Sequence, residues 1–228
     1  MIKINANNAA LVPKSPVRRI GVRTSQVRGR IAKNQEYESL LERDFLTILR
    51  MDPTVESFIT QPVKIPYDLQ DAARTYVPDV LVSYKCDSLG RKRIPTLVEV
   101  KPSEYADHPD HELAAKFAAA NLFCESVQWE FAIVTEQDIH TTRFANADFL
   151  LRFKDRECNP SHVELVREQL RLWNGCATVK ALISGVFRSP DSQASLLPDI
   201  WTMVVNGLVY VDLNEPLGMK SEIWSREP

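Results

Sequence analysis

The sequence predicts an α/β fold: a mixed sheet with helices packed on it, followed by a smaller α+β domain. Three observations carry this. Two short apolar runs, Tyr76 to Tyr84 and Thr96 to Pro102, flank a polar stretch from Cys86 to Lys92 whose length lets two strands pair antiparallel. Apolar residues recur at helical spacing ahead of these runs, and an alanine-rich stretch follows them. Around Asn159-Pro160 the composition shifts to three helical patterns closed by two short strand-like runs.

The totals bound the possibilities. A chain of 228 residues accommodates two domains. Its 44% hydrophobic and 25% charged residues are ordinary for a soluble globular protein. No apolar run reaches the roughly 20 residues that span a bilayer, and no secretory signal opens the chain, so no membrane partner is expected. Cys86, Cys124, Cys158 and Cys176 form no Cys-x-x-Cys pair, which argues against zinc and disulfides and for a reduced, cytoplasmic setting.

The net charge of −2 hides an asymmetry. Residues 1–35 hold eight basic residues, among them Arg18, Arg19, Arg23, Arg28, Arg30 and Lys33, and no acid; the remainder has twenty basic residues against thirty acidic ones. Without helical or strand periodicity, this segment reads as an irregular basic arm suited to a phosphate backbone, or as a solvated tail.

From Glu36 to Arg50 the pattern is helical. Tyr37, Leu40, Leu41, Phe45, Ile48 and Leu49 make one apolar stripe, and Asp52-Pro53 ends it. Glu42 projects at the edge of that stripe, whereas Glu36, Glu38 and Asp44 have easier routes to solvent. Periodicity alone favours reading Glu42 as a surface glutamate paired with an arginine. Phe58 to Tyr67 is a strand-like run broken by prolines, which places it near a sheet edge.

The next two runs carry the chemistry. Asp79 opens one, and Glu99-Val100-Lys101 closes the other. Side chains alternate along a strand, so Glu99 and Lys101 share one face and Val98 and Val100 the other. Antiparallel pairing would bring two carboxylates and one ammonium together. Burying such charges is costly unless they are paired or bind a cation, and carboxylate oxygens are what hard Mg2+ prefers. A lysine there could orient or deprotonate water or stabilise charge on a phosphate. The same residues read equally as an edge hairpin with solvated charges and one Glu–Lys pair. His108 and His111, near Asp107 and Asp110, read as a solvated loop and helix start in preference to a metal cluster.

Glu112 to Phe123 follows as a helix, Trp129 to Thr135 as a mostly apolar and hence central strand, and Phe149 to Phe153 as a strand or the start of a connector. Beyond Asn159, helices are expected over Val163 to Trp173, Thr178 to Val186 and Leu196 to Val205, with strands over Leu208 to Leu213 and Met219 to Trp224. Three helices and a hairpin outline a winged helix. The third helix carries no lysine or arginine, which disfavours major-groove reading and favours protein contact. The expected division is an arm over 1–35, a catalytic domain over 36–158 and a winged-helix-like domain over 159–228.

In order along the chain, Glu38 to Leu46, Phe58 to Pro62, Tyr76-Val77-Pro78-Asp79, Leu97 to Pro102 and Trp129 to Thr135 resemble TnsA, the endonuclease subunit of Tn7-like transposons. The resemblance runs from Ser15 through the C-terminal domain. It implies a restriction-endonuclease-like PD-(D/E)xK core that hydrolyses DNA with Mg2+, Mn2+ being an acceptable substitute. Glu42, Asp79 and Glu99 would be the acidic metal-site residues, the Val100 carbonyl would complete the coordination, and Lys101 would be the catalytic lysine; members of the family carry glutamate or glutamine at the position of Glu99. In-line attack of water on phosphorus would leave a 5′-phosphate and a 3′-hydroxyl, at the 5′ ends of the transposon. The implied partners are double-stranded transposon-end DNA, a DDE-type transposase subunit and an AAA+ ATPase regulator docked on the C-terminal domain, in a bacterial cytoplasm at the nucleoid. Two competitors are a stand-alone restriction or repair nuclease of the same fold, active without a transposase, and a non-catalytic DNA-binding scaffold subunit.

Overall fold

The computed structural model describes residues 13–18, 29–32, 35–70 and 72–225, and the chain packs as two compact units, Met1–Ile139 and His140–Pro228. In the first unit β1 (Gly29–Ala32) pairs antiparallel with β2 (Gln35–Tyr37). The expectation of an irregular arm through residue 35 is therefore corrected at its end. Backbone pairing needs no apolar alternation, so periodicity gives no sign of these two short strands. A side chain at Gly29 would collide with the Tyr37 phenol, so this close approach requires glycine.

Helix α1 (Leu40–Met51) starts where the Ser39 hydroxyl accepts the Glu42 N–H at 3.1 Å. Its buried face centres on Leu46 and Leu49, while Leu40 is 47% exposed, so the apolar stripe is rotated from the one expected. Asp44, expected to face solvent, is buried at 6% exposure because the Arg43 guanidinium folds over it, with Nε and Nη2 at 2.8 and 2.6 Å.

Strands β3 (Val55–Thr60), β4 (Ile65–Leu69), β5 (Ala72–Tyr76), β6 (Val80–Tyr84) and β7 (Thr96–Val100) follow, then α2 (Ser103–Asp107), α3 (His111–Val127), β8 (Glu130–Val134) and α4 (Glu136–Ile139). The main sheet has the order β3-β6-β7-β8. Its first three strands are antiparallel, and β7 and β8 are parallel, with α3 supplying the crossover that parallel neighbours need. The sheet is mixed, as expected, with β3 at one edge. The run from Phe58 to Tyr67 is not one strand: the chain breaks after β3, and β4 pairs with β5 as a separate hairpin. Strand β8 lies at the other edge and is half-buried, not central; its apolar residues cover one flank of α3.

Both faces of the sheet are covered. Val80, Val82, Val98 and Val100 pack with Leu46 and Leu49 of α1 and Ile139 of α4. Leu81 and Leu97 pack with Ile65, Tyr67, Leu69 and Tyr76 of the second hairpin and Ala119, Ala120 and Cys124 of α3. Full burial of a leucine or valine stabilises by about 1.5–3 kcal/mol, and the small alanines let α3 approach closely. Burial pushes the Cys124 thiol up to about 12, which suits an inert packing residue.

The second unit contains α5 (Thr142–Leu151), α6 (Pro160–Leu172), β9 (Cys176–Thr178), α7 (Val179–Val186), α8 (Pro190–Val205), β10 (Tyr210–Val211) and β11 (Glu222–Trp224), its strands ordered β10-β11-β9 and all antiparallel. Phe149 to Phe153 is the end of a helix, not a strand: Phe149 meets Trp201 of α8 edge-on at 5.4 Å. The Asn146 amide also donates to the carbonyls of Leu213 and Glu215, both at 2.8 Å. These contacts draw residues 140–158 into the second unit and move the division ahead of the expected 158/159. Helix α8 begins at Pro190, earlier than expected, because Ser189 caps it and proline suits the first helical position. Buried Asp199 of α8 is held by His162 Nδ1 at 2.5 Å and Arg156 Nη2 at 3.2 Å.

Candidate active site

The register of the β6–β7 ladder builds the site. Val80 faces Val98 and Leu81 faces Leu97, so one step beyond the ladder Asp79 lies across from Glu99. The Val100 N–H donates to Asp79 Oδ2 at 2.8 Å, which fixes that carboxylate at the end of the strand. Lys101 follows β7 and turns back: its Nζ lies 2.7 Å from Glu99 Oε1, 3.9 Å from Asp79 Oδ2 and 3.4 Å from the Val100 carbonyl. The structure thus brings together Asp79, Glu99, Val100 and Lys101.

The face that Glu99 shares with Lys101 is not solvated. Glu99 is 3% exposed, and the Tyr76 hydroxyl donates to its Oε2 at 2.6 Å. Burial and the neighbouring Glu99 carboxylate drive the Tyr76 phenol far above its usual range, so it remains a donor. Sequence reasoning missed Tyr76 as a site residue; its one signal is its place at the head of the Tyr-Val-Pro-Asp run.

Burial, then the Glu99 charge, raise Asp79 well above the usual carboxylate range, and Glu42 adds to this, against the pull of Lys101 and the Val100 N–H. Burial works against the Lys101 ammonium, but Asp79, Glu99 and Glu42 outweigh it and hold its pKa above that of ordinary lysine. Glu42 is therefore close enough for its charge to act on both residues. Its own carboxyl is raised by burial, against hydrogen bonds from the Glu38 N–H at 2.9 Å to Oε2 and from the Ser39 hydroxyl at 3.1 Å to Oε1. These bonds make Glu42 part of the α1 cap, a tie that periodicity did not reveal.

Among the described residues, no three His, Cys, Asp or Glu side chains are gathered as a ready-made metal site. The reason is visible: Lys101 lies between Glu99 and Asp79, and Glu42 is committed to its helix. The chemistry of the donors still fits a hard divalent cation, since Asp79, Glu99 and Glu42 crowd negative charge that one lysine leaves in excess, and Asp79 Oδ1 accepts no hydrogen bond among the described residues. His108 precedes α3 and His111 opens it, where Asp110 caps the helix by accepting the Leu113 N–H at 2.7 Å.

Of the basic arm, Arg19, Arg23, Arg28 and Lys33 lie outside the described residues, and Arg30 is described only as backbone in β1. Arg18 pairs with Glu38 at 3.2 Å, and the Val17 N–H donates to the Gln61 carbonyl at 2.9 Å. Among the described residues no helix is long and apolar enough to cross a membrane.

Residues 52–136 match the family model of the TnsA-like endonuclease N-terminal domain. This segment is similar to the endonuclease domain that the family model describes, and it contains Asp79, Glu99, Val100 and Lys101. Glu42 and the second unit lie outside the match. No curated protein matches the sequence.

Proposed function

We propose that the chain is the Mg2+-dependent endonuclease subunit of a Tn7-like transposase and cuts the 5′ ends of the transposon, on the strands not joined to target DNA. The observation that carries the reading is the convergence of Asp79, Glu99 and Lys101 at one end of β6 and β7 within the TnsA-like segment. Asp79, Glu99, Glu42 and the Val100 carbonyl would hold the ion. When bound, Mg2+ or Mn2+ supplies charge stabilisation to a phosphodiester and lowers the pKa of water.

The chain's own residues do the rest. The Val100 N–H orients Asp79, and Tyr76 with Lys101 satisfies both oxygens of Glu99. Lys101 keeps its proton firmly, so its natural work is to place positive charge beside the non-bridging or leaving oxygen of the scissile phosphate. The basic arm, tied beside the site through Val17 and Arg18, would follow the DNA backbone.

After α5 the second unit runs helix, strand, two helices and two strands, with β11 in the middle of its sheet, which supports a winged-helix reading. The absence of lysine and arginine from α8 favours protein docking over groove reading, with an AAA+ regulator as the partner and a DDE-type transposase completing the assembly. The test is cleavage of supercoiled DNA carrying the cognate ends, with Mg2+ and the partner transposase, comparing wild type with Asp79→Ala. Cuts at the 5′ ends that vanish in the variant support the reading. Equal products from both proteins move the chemistry to the partner and leave this chain a scaffold, and efficient cutting without the transposase makes it a stand-alone nuclease.

A further inference from the structure

Gln61 sits immediately beside the site, and no part of the nuclease reading uses its side chain. It follows β3, where the chain leaves the sheet ahead of Pro62. Its backbone is left-handed, with φ of 48°, a region that glutamine rarely adopts. Its N–H donates to the Asp79 carbonyl at 2.7 Å, and its carbonyl accepts from Val17. The residue is 5% exposed, yet its Oε1 is the one buried side-chain oxygen or nitrogen without a hydrogen-bond partner among the described residues.

Local physics disfavours glutamine here on both counts. Glycine or asparagine would suit the backbone better, and leucine would fill similar space without stranding an acceptor. A buried acceptor with no donor, anchored by its own main chain to the main chain of Asp79, fits a donor that arrives with a ligand. Mg2+ retains several waters when bound by one or two carboxylates, and each of those waters is a strong donor in need of an acceptor. A neutral amide oxygen accepts without adding negative charge where Asp79, Glu99 and Glu42 already repel.

We propose that Gln61 is a positioning residue of this site: its backbone fixes the Asp79 main chain, and its amide oxygen accepts a hydrogen bond from a water in the hydration shell of the divalent cation. This rests on the metal-nuclease reading above. It involves no covalent step and assigns Gln61 no contact with the reacting atoms.

The test uses the full chain with Mn2+ as the probe, by titration calorimetry, together with thermal melts in the absence of the cation. Gln61→Leu removes the acceptor and keeps the volume, Gln61→Glu keeps an acceptor oxygen, and Asp79→Ala is the control that removes the site. The expected result is that Gln61→Leu melts no lower than wild type without cation, binds Mn2+ about tenfold more weakly, and has its binding deficit largely restored in Gln61→Glu. Wild-type affinity in Gln61→Leu, with binding lost in Asp79→Ala, overturns the role of Gln61 and leaves the nuclease reading standing. Equal weakening in Gln61→Leu and Gln61→Glu with lowered melting points shows a packing role and also overturns it. Mn2+ binding that survives Asp79→Ala undoes the metal site itself, and the proposal with it.

Discussion

Asp79→Asn should stabilise the cation-free protein at neutral pH. The Asp79 carboxyl is raised above its ordinary value by burial and by Glu99 and Glu42, so the native state prefers it protonated. A group whose folded pKa exceeds its unfolded one, about 3.9 for aspartate, stabilises below the unfolded value, and that contribution is lost as pH rises through the folded value. Above that folded value ionised Asp79 therefore works against folding. Asparagine has the same shape, still accepts the Val100 N–H, and leaves Lys101 paired with Glu99 at 2.7 Å. Each pKa unit of elevation corresponds to about 1.4 kcal/mol, which in a protein of this size moves the melting temperature by roughly 3–6 °C. The assay is a series of thermal melts in chelator from pH 5 to 8. The variant should melt higher at pH 8, and the gap should close as pH falls through the raised Asp79 pKa, because wild type then carries a neutral acid. Millimolar Mg2+ should narrow the gap at pH 8 by stabilising wild type alone. An asparagine variant that melts lower than wild type at every pH would refute the reasoning.

Variants at three further positions test the supports of the two units. Tyr76→Phe removes the 2.6 Å donor to buried Glu99 and should cost about 1–3 kcal/mol in urea denaturation, while Lys101→Ala, which leaves that carboxylate without its counter-charge, should cost more, about 3–5 kcal/mol. In the second unit Asp199→Ala strips His162 and Arg156 of their shared acceptor and should cost about 2–3 kcal/mol, with Asp199→Asn restoring part of the loss.

Much of the first unit was legible because its signals are periodic and local. Two apolar runs and a polar turn gave the β6–β7 ladder, and alternation alone placed Glu99 beside Lys101. Position across the ladder then fixed Asp79. What stayed hidden depends on contacts between distant segments. Tyr76 reaches Glu99 because the second hairpin covers a face that a single alternating strand would leave to solvent. Glu42 is both a helix cap and a neighbour of Lys101, and helical spacing shows only where it projects. Asp44 is buried by the residue beside it, which polarity scales count as exposed. In the second unit, the attachment of residues 140–158 rests on Asn146 reaching backbone about seventy residues ahead, which no window of sequence contains.

The order in which pairings close has a kinetic consequence for the charged cluster. The β6–β7 hairpin brings Asp79 to Val100 across 21 residues, whereas the parallel pairing of β7 with β8 closes a longer loop, with Thr96 meeting Glu130 across 34 and a helix to place between. Loop-closure entropy favours the hairpin first. Asp79, Glu99 and Lys101 can thus meet while still wet, and their desolvation falls on the later step that docks α3 and the second hairpin. Conditions that weaken charge repulsion, such as added salt or a divalent cation, should then speed that late step and leave hairpin formation unchanged, so that the residues proposed to bind metal also govern how quickly the chain finishes folding.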